Sequence, residues 1–398
     1  MISVAEARGR IISSLRPSGT EVMALAQAHG RVLAAPVLAR LSQPPADVSA
    51  MDGYALRAED GISGAKLRVI GEAPAGHAFT GRVGAGEAVR LFTGSFVPEG
   101  ADTILPQECA AAVGGTLTVG EGCVAGRHIR RRGQDFLAGS ELIQAGRRLT
   151  ARDVGLAAAG NHPWLSVYRR PRIAVLVTGD EISLPGEEIG SSGIVNSNSS
   201  MLAAFILAHG GEPLILPIAR DDIEAIAAGA EAARGVDMLV TTGGASVGAH
   251  DLVQAGLKAH GFVLDFWKIA MRPGKPLFFG RMGEVPVLGL PGNPVSAFVC
   301  AELFLKPAMA VISGLSAATP ALSNVRLGVA LKSNDAREDY LRAKLDWRDN
   351  GWVATPLPVQ DSGMLWALAR ADVLIRRPSY QEALPEGENV EVLRIDDL

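Results

Sequence analysis

The sequence predicts a multidomain α/β protein in which a central parallel-sheet domain is flanked by β-rich segments and a helical region. Three observations predict it. A chain of 398 residues is too long for one ordinary core, so two to four domains are expected. Residues 171–318 alternate apolar strand-like runs with helix-length segments, the rhythm of a parallel sheet covered on both faces. Residues 42–146 and 319–398 carry short strand-like runs broken by Gly and Pro.

In chain order, apolar positions at Val4, Ala7, Ile11, Ile12 and Leu15 predict a helix that stops at Pro17-Ser18-Gly19. A second helix is expected over Glu21–His29. Residues 42–146 read as a β-rich insert, with strands around Leu67–Ile70, Ala88–Phe92, Thr103–Leu105 and Thr116–Val119. Residues 149–161 return to helix, so 1–41 and 147–170 are read as one discontinuous helical domain. The 171–318 domain opens on the buried-strand run Ile173–Val177. Helices follow over 200–209, 222–234 and 251–260, with strands at Leu214–Ile218 and Met238–Thr241. Runs at Leu277–Phe279 and Val285–Leu290 precede a closing helix, Pro294–Ile312. Residues 319–398 read as a second β domain.

Composition removes several function classes. Hydrophobic residues at 48% and charged residues at 20% describe an ordinary globular chain, not a disordered one. A formal net charge of -4, with no basic tract beyond Arg130-Arg131-Arg132, argues against a nucleic-acid partner. Cys109, Cys123 and Cys300 are too scattered for a thiolate zinc site or a disulfide framework. The N-terminus lacks a signal-peptide core, and no apolar run reads as pure enough for a bilayer. A cytoplasmic protein with no membrane partner is expected.

In an open α/β sheet, ligands bind beyond the carboxyl ends of the strands. Thr178-Gly179-Asp180-Glu181 follows the first strand of the central domain and Ala219-Arg220-Asp221-Asp222 the second. Thr241-Thr242-Gly243-Gly244-Ala245-Ser246 runs on to Asp251 after the third, and Pro291-Gly292-Asn293 follows the last. Glycines and carboxylates therefore gather on one sheet edge, which core packing does not require. The Thr-Gly-Gly segment suits a phosphate cradle, although a strand-to-helix turn explains it as well. No Walker loop or dinucleotide fingerprint opens a helix, so hydride transfer and P-loop hydrolysis lose support. Lys268, Arg272 and Lys275 share one Pro- and Gly-stiffened loop, suited to converging on an anion. Facing Glu181, Asp221 and Asp251, they would bind a polyanion while the carboxylates hold a hard divalent cation.

These segments resemble the molybdopterin molybdenumtransferase family, which includes the C-terminal domain of gephyrin. The resemblance is carried by Ser49-Ala50-Met51-Asp52-Gly53-Tyr54-Ala55, Thr178–Glu181 and Thr241–Gly244 with Ser246 and Asp251. Arg272-Pro273-Gly274-Lys275-Pro276 and Leu290–Ser296 complete it, in order along nearly the whole chain. It implies four domains, the central one a molybdopterin-binding-like domain, and a homodimer with the insert of one subunit near the partner's α/β site. It also implies that molybdate and adenylylated molybdopterin are converted to molybdenum cofactor and AMP. Carried over by position, Asp52, Thr93, Glu181, Asp221, Asp251, Lys268 and Lys275 are catalytic. Arg130, Asp135, Thr178, Gly243, Gly244, Ser246, Arg272, Pro291, Gly292, Asn293 and Ser362 bind substrate. Arg272 stands where many relatives have lysine, and a planar guanidinium does not contact an anion as an ammonium does.

By this reading Asp221, Asp251 and Glu181 hold Mg²⁺, and the cations stabilise phosphate and molybdate oxygens. No nucleophile–base pair points to a covalent intermediate. Contact with the pathway's adenylyltransferase is a further implication. The alternatives are a molybdopterin-binding scaffold, the adenylyltransferase itself and a related nucleotide hydrolase. The adenylyltransferase usually lacks the insert and the C-terminal domain, and a scaffold would not need carboxylates and lysines together at the strand ends.

Overall fold

The structure, a computed structural model, describes residues 1–243, 249–316, 321–348 and 350–395, with the backbone alone for 249–251. Two compact units emerge. One comprises Met1–Glu21, Gly30–Ala34 and Ser166–Leu398, and the other Val22–His29 and Ala35–Leu165.

The first unit is built on six strands: β1 (Arg172–Val177), β2 (Glu212–Ile215), β3 (Met238–Thr242), β4 (Phe262–Trp267), β5 (Phe278–Met282) and β6 (Val285–Leu290). Their spatial order is β2-β1-β3-β6-β5-β4. The first four are parallel, as the alternating rhythm predicts. β5 and β4 run antiparallel to their neighbours. Gly283 at φ 57° and Glu284 alone separate β5 from β6, too few residues for a parallel crossover. β4 escaped the sequence reading because a register shift between Leu264 and Phe266 breaks its alternation.

Period-two side-chain alternation sends successive residues of β1 to opposite cores. Ile173 and Val175 join Met238, Val240, Leu288 and the helices α1 (Asn198–Ala208) and Pro294–Ile312. Ala174 and Leu176 join Leu239, Val287, α2 (Ile223–Ala232) and α3 (Ala249–Lys258). Helices therefore cover both faces, which leaves the strand ends as the open edge. By length and apolar composition Pro294–Ile312 could cross a bilayer, contrary to the expectation from the sequence, but most of it is buried in this core. Its middle, Ala301–Leu305, is π-helical.

The C-terminal strands Glu338–Arg348, Gly351–Pro356, Leu322–Leu327, Asn389–Arg394 and Val373–Arg377 pair in that order, and the last closes back on the first. Met271–Arg272 adds to this closed sheet through Glu338 and Asp339. The cationic loop is thereby fixed between the α/β domain and the C-terminal domain.

The second unit holds a six-stranded sheet in the order Thr103–Pro106, Gly53–Leu56, Glu87–Leu91, Lys66–Ala73, Thr116–Val119, Ala110–Val113. Its helix Ala151–Ala159 starts at a capping box between Thr150 and Asp153. The helix expected over Glu21–His29 is absent: Thr20–Ala24 is a strand and Leu25–Gln27 a 3-10 turn. So short a window holds no helix by propensity alone, and β-branched Thr20 and Val22 favour the extended form.

Candidate functional site

A cavity of about 1110 Å³ lies at the carboxyl edge of the parallel strands. Register places Val177, Thr242 and Leu290 side by side at the ends of β1, β3 and β6. The loops that follow therefore emerge together. Thr178, Glu181, Asp221, Gly243, Arg272, Lys275, Pro291, Gly292, Asn293 and Ser362 all line the cavity. Residues from stretches far apart in sequence meet there, as the reading of the strand ends anticipates. Gly244 and Ser246 lie outside the described residues, as does the side chain of Asp251.

The strand ends are packed backbone to backbone. Gly243 has φ 107°, and a Cβ there would stand 2.2 Å from the Thr178 carbonyl oxygen. Gly292 lies against it, its own ideal Cβ 3.3 Å from the Gly243 Cα. Asn198, in the first turn of α1, ties the three loops: its amide donates to Thr242 Oγ1 at 2.9 Å and to the Gly292 carbonyl at 2.7 Å. Thr242 Oγ1 in turn donates to the Pro291 carbonyl at 3.1 Å. Asn198 and Asn196 also line the cavity, and the sequence reading missed both. Their signal was Asn196-Ser197-Asn198 at a helix start, which reads equally well as ordinary capping.

The two adjacent aspartates divide their work. Asp222 caps α2, accepting from the Ala225 N–H at 2.7 Å. Asp221 is left to the cavity wall. Burial lifts its carboxyl above the ordinary range, and the charges of Asp180 and Glu181 lift it further. Among the described residues no three His, Cys, Asp or Glu side chains form a ready-made metal cage. Glu181 and Asp221 still offer two hard carboxylates on one wall, and the mutual repulsion that raises Asp221 is what a divalent cation relieves. Mg²⁺ commonly takes only one or two protein carboxylates, filling its shell with water and phosphate oxygens. In this sense the donor set fits.

The cations are not equivalent. Arg272 donates to Asp339, whose side chain is 2% exposed, at 2.7 Å, and lies 3.7 Å from Asp335. Arg337, a further cavity residue that the sequence reading missed, is paired with Asp335 at 2.7 Å. Lys275 has no carboxylate partner among the described residues, so its charge is the least neutralised of the three. Lys268 is not brought to the cavity wall. Its backbone is left-handed, φ 69°, and its ammonium sits 3.7 Å from the centre of the Trp267 ring.

The C-terminal domain contributes the loop around Ser362. Asn293, the residue before α4 (Pro294–Cys300), donates to Ser362 Oγ at 2.8 Å, and the Val295 N–H donates to the Ser362 carbonyl at 3.1 Å. Behind the loop, fully buried Arg342 donates to the carbonyls of Val359 at 3.3 Å and Asp361 at 3.1 Å. Burial pulls this guanidinium below its ordinary value, and Asp361 opposes the shift. Arg342→Met removes those donors, and the carbonyls of Val359 and Asp361, both exposed residues, turn to water instead. We predict a loss of about 1–2 kcal/mol in urea-unfolding stability. An unchanged midpoint and slope would show that the loop does not depend on Arg342.

In the second unit, Asp52 and Thr93 are in direct contact. Asp52 Oδ1 accepts from the Thr93 N–H at 2.7 Å and from Thr93 Oγ1 at 2.8 Å. These two bonds hold the carboxyl below its ordinary range, helped by Arg90. Arg130 and Asp135 line a separate cavity of about 410 Å³ with Val48, Gly94 and Phe96.

Three family descriptions match consecutive parts of the chain. These are the MoeA N-terminal region (domain I and II) over residues 2–160, a probable molybdopterin-binding domain over 174–311, and the MoeA C-terminal region (domain IV) over 324–395. Molybdopterin molybdenumtransferase 2 of Mycobacterium tuberculosis is 34% identical, covering 98% of this chain and 99% of the relative. Molybdopterin molybdenumtransferase of a Nostoc species is 33% identical, covering 94% and 89%. The crystal structure of the molybdopterin biosynthesis MoeA protein from Pyrococcus horikoshii superposes with a TM-score of 0.88 at 30% identity, covering 100% of this chain and 99% of that one. With matching regions in the same order along the chain, near-complete coverage and the same fold, the chain belongs to the molybdopterin molybdenumtransferase (MoeA) family.

Proposed function

We propose that this chain inserts molybdenum from molybdate into adenylylated molybdopterin, releasing AMP and forming molybdenum cofactor. One observation carries the reading: a single cavity at the sheet's carboxyl edge is walled by Glu181 and Asp221 and by Arg272, Lys275 and Arg337. A substrate with a phosphate and an incoming oxyanion needs both signs of charge within one enclosure. The two bacterial relatives, both molybdopterin molybdenumtransferases by name, support the transfer of molybdenum to a molybdopterin.

Each group then has a task. Lys275, with the least compensated charge, binds molybdate or phosphate oxygens as they shift, while Arg272 and Arg337 are held in place by Asp339 and Asp335. Glu181 and Asp221, with Asp251, would hold Mg²⁺, which when bound neutralises charge on the adenylate phosphate. Asn293 and Ser362 fix the wall contributed by the C-terminal domain. No cysteine lines the cavity among the described residues, and Cys300 is buried with its thiol pushed well above its usual range.

The same reading makes the protein a cytoplasmic homodimer that receives its substrate by contact with the adenylyltransferase. The test is incubation with adenylylated molybdopterin, Mg²⁺ and molybdate. AMP release that requires molybdate is the expected result. Release without molybdate indicates a hydrolase, consumption of ATP with free molybdopterin indicates an adenylyltransferase, and binding without turnover indicates a scaffold.

A further inference from the structure

The segment from Glu181 to Asn196 forms a strap along one side of the main cavity. Two short parallel pairings, Ile182 with Ile194 and Ser183 with Val195, hold its ends together. The Ile194 N–H donates to the Glu181 carbonyl and the Asn196 N–H to the Ser183 carbonyl, both at 2.8 Å. The strap presents Ile194, 58% exposed, and Val195, 39% exposed, as part of the cavity lining. Neither side chain is needed for the core, and leaving apolar surface in water is unfavourable. Glu181 and Asn196, at the two ends of the strap, line the same cavity and set hydrogen-bonding groups beside the apolar side chains.

We propose that Ile194 and Val195 form the wall that takes the flat, nitrogen-rich heterocycle of the substrate. Its oxyanion goes to the Arg272, Lys275 and Arg337 group. A planar ring covers branched aliphatic side chains over a broad contact, while a polar atom on its edge meets the side-chain amide of Asn196, whose Nδ2 is buried without a hydrogen-bond partner among the described residues. A purely aliphatic ligand would leave that amide unpaired. Charge complementarity sets the direction of the ligand: no cation lies on the strap between Glu181 and Asn196, and the cations lie on other segments of the lining. The assignment rests on the proposed function, whose substrate offers two such rings, a purine and a pterin.

Calorimetric titration separates the possibilities, with AMP, 6-hydroxymethylpterin and molybdate as probes. The variants are the double substitution Ile194→Ser with Val195→Ser and the conservative pair Ile194→Leu with Val195→Ile. The serine variant is expected to weaken one ring compound about tenfold and to leave molybdate unchanged, with the conservative pair restoring the ring affinity. Loss confined to AMP assigns the purine to the wall, and loss confined to the pterin assigns the pterin. The proposal is overturned if the serine variant binds both ring compounds as the unaltered protein does. It is also overturned if molybdate weakens in parallel, or if the unaltered protein binds neither ring. Because these titrations need no turnover, their failure is distinct from a failure to release AMP.

Discussion

Asp221→Ala is expected to lower Mg²⁺-dependent AMP release by about 10²–10³-fold while the fold persists. The carboxyl sits on the cavity wall, and its neighbour Asp222, not Asp221, supplies the cap of α2. The helix therefore keeps its N-terminus in the variant. The direction of the pKa shift adds a second expectation. Burial and the charges of Asp180 and Glu181 raise Asp221, so the folded state disfavours its ionised form. A carboxyl raised on folding binds its proton more tightly in the native state, and stability falls as pH rises from the unfolded pKa through the folded one. Above that window the charge opposes folding. Asp221→Asn should therefore melt no lower than the unaltered protein at neutral pH without Mg²⁺, yet lose most of its turnover. The Mg²⁺-induced rise in melting temperature should shrink with it. Thermal melts with and without Mg²⁺, beside an AMP assay, measure all three. Full turnover in Asp221→Ala would remove this residue from the proposed site.

The legible parts of the chain were those in which one physical rule acts alone. β1, β3 and β6 are predominantly apolar runs, and reading them as buried strands follows from pattern. The cavity was legible for the same reason. Once the strands are parallel, Thr178, Asp221, Gly243 and Pro291 must emerge on one edge. What the sequence hid depends on tertiary partners. Arg337 and Arg342 lie on the C-terminal domain, where nothing local marks the first as a cavity residue or the second as the support of the Ser362 loop. Asn198 reads as a helix-start residue, and only the fold reveals that its amide joins two other strand ends. Lys268 shares a loop with Arg272 and Lys275, and proximity in sequence says nothing of a left-handed backbone that turns one side chain onto an indole.

Gly243→Ala should be more damaging than any conservative change among the charged residues of the cavity. Two independent costs fall on this position. Its φ of 107° lies where an L-residue is strained, and the added methyl would stand 2.2 Å from the Thr178 carbonyl oxygen and 3.0 Å from Thr178 Oγ1. The obstructing atom is backbone of the neighbouring strand end, which cannot rotate away as a side chain could. Relief requires β1 and β3 to part at their carboxyl ends, where the Thr178 N–H donates to the Thr242 carbonyl at 3.1 Å. Parting them also loosens the Asn198 and Thr242 bonds that hold the Pro291–Gly292 turn. A loss of about 2–4 kcal/mol in unfolding free energy is expected, together with weaker molybdate and nucleotide binding, because the same displacement moves the cavity wall. Gly292→Ala provides the internal standard. Its methyl would meet the Gly243 Cα at 3.3 Å, a tight contact that a shift of a few tenths of an ångström relieves, and its φ is not in the left-handed region. It should cost about 1 kcal/mol. Urea unfolding of the two variants ranks them directly. If Gly243→Ala proves as stable as Gly292→Ala, the strand ends are not packed backbone to backbone, and the cavity has no rigid floor on which to align its charges.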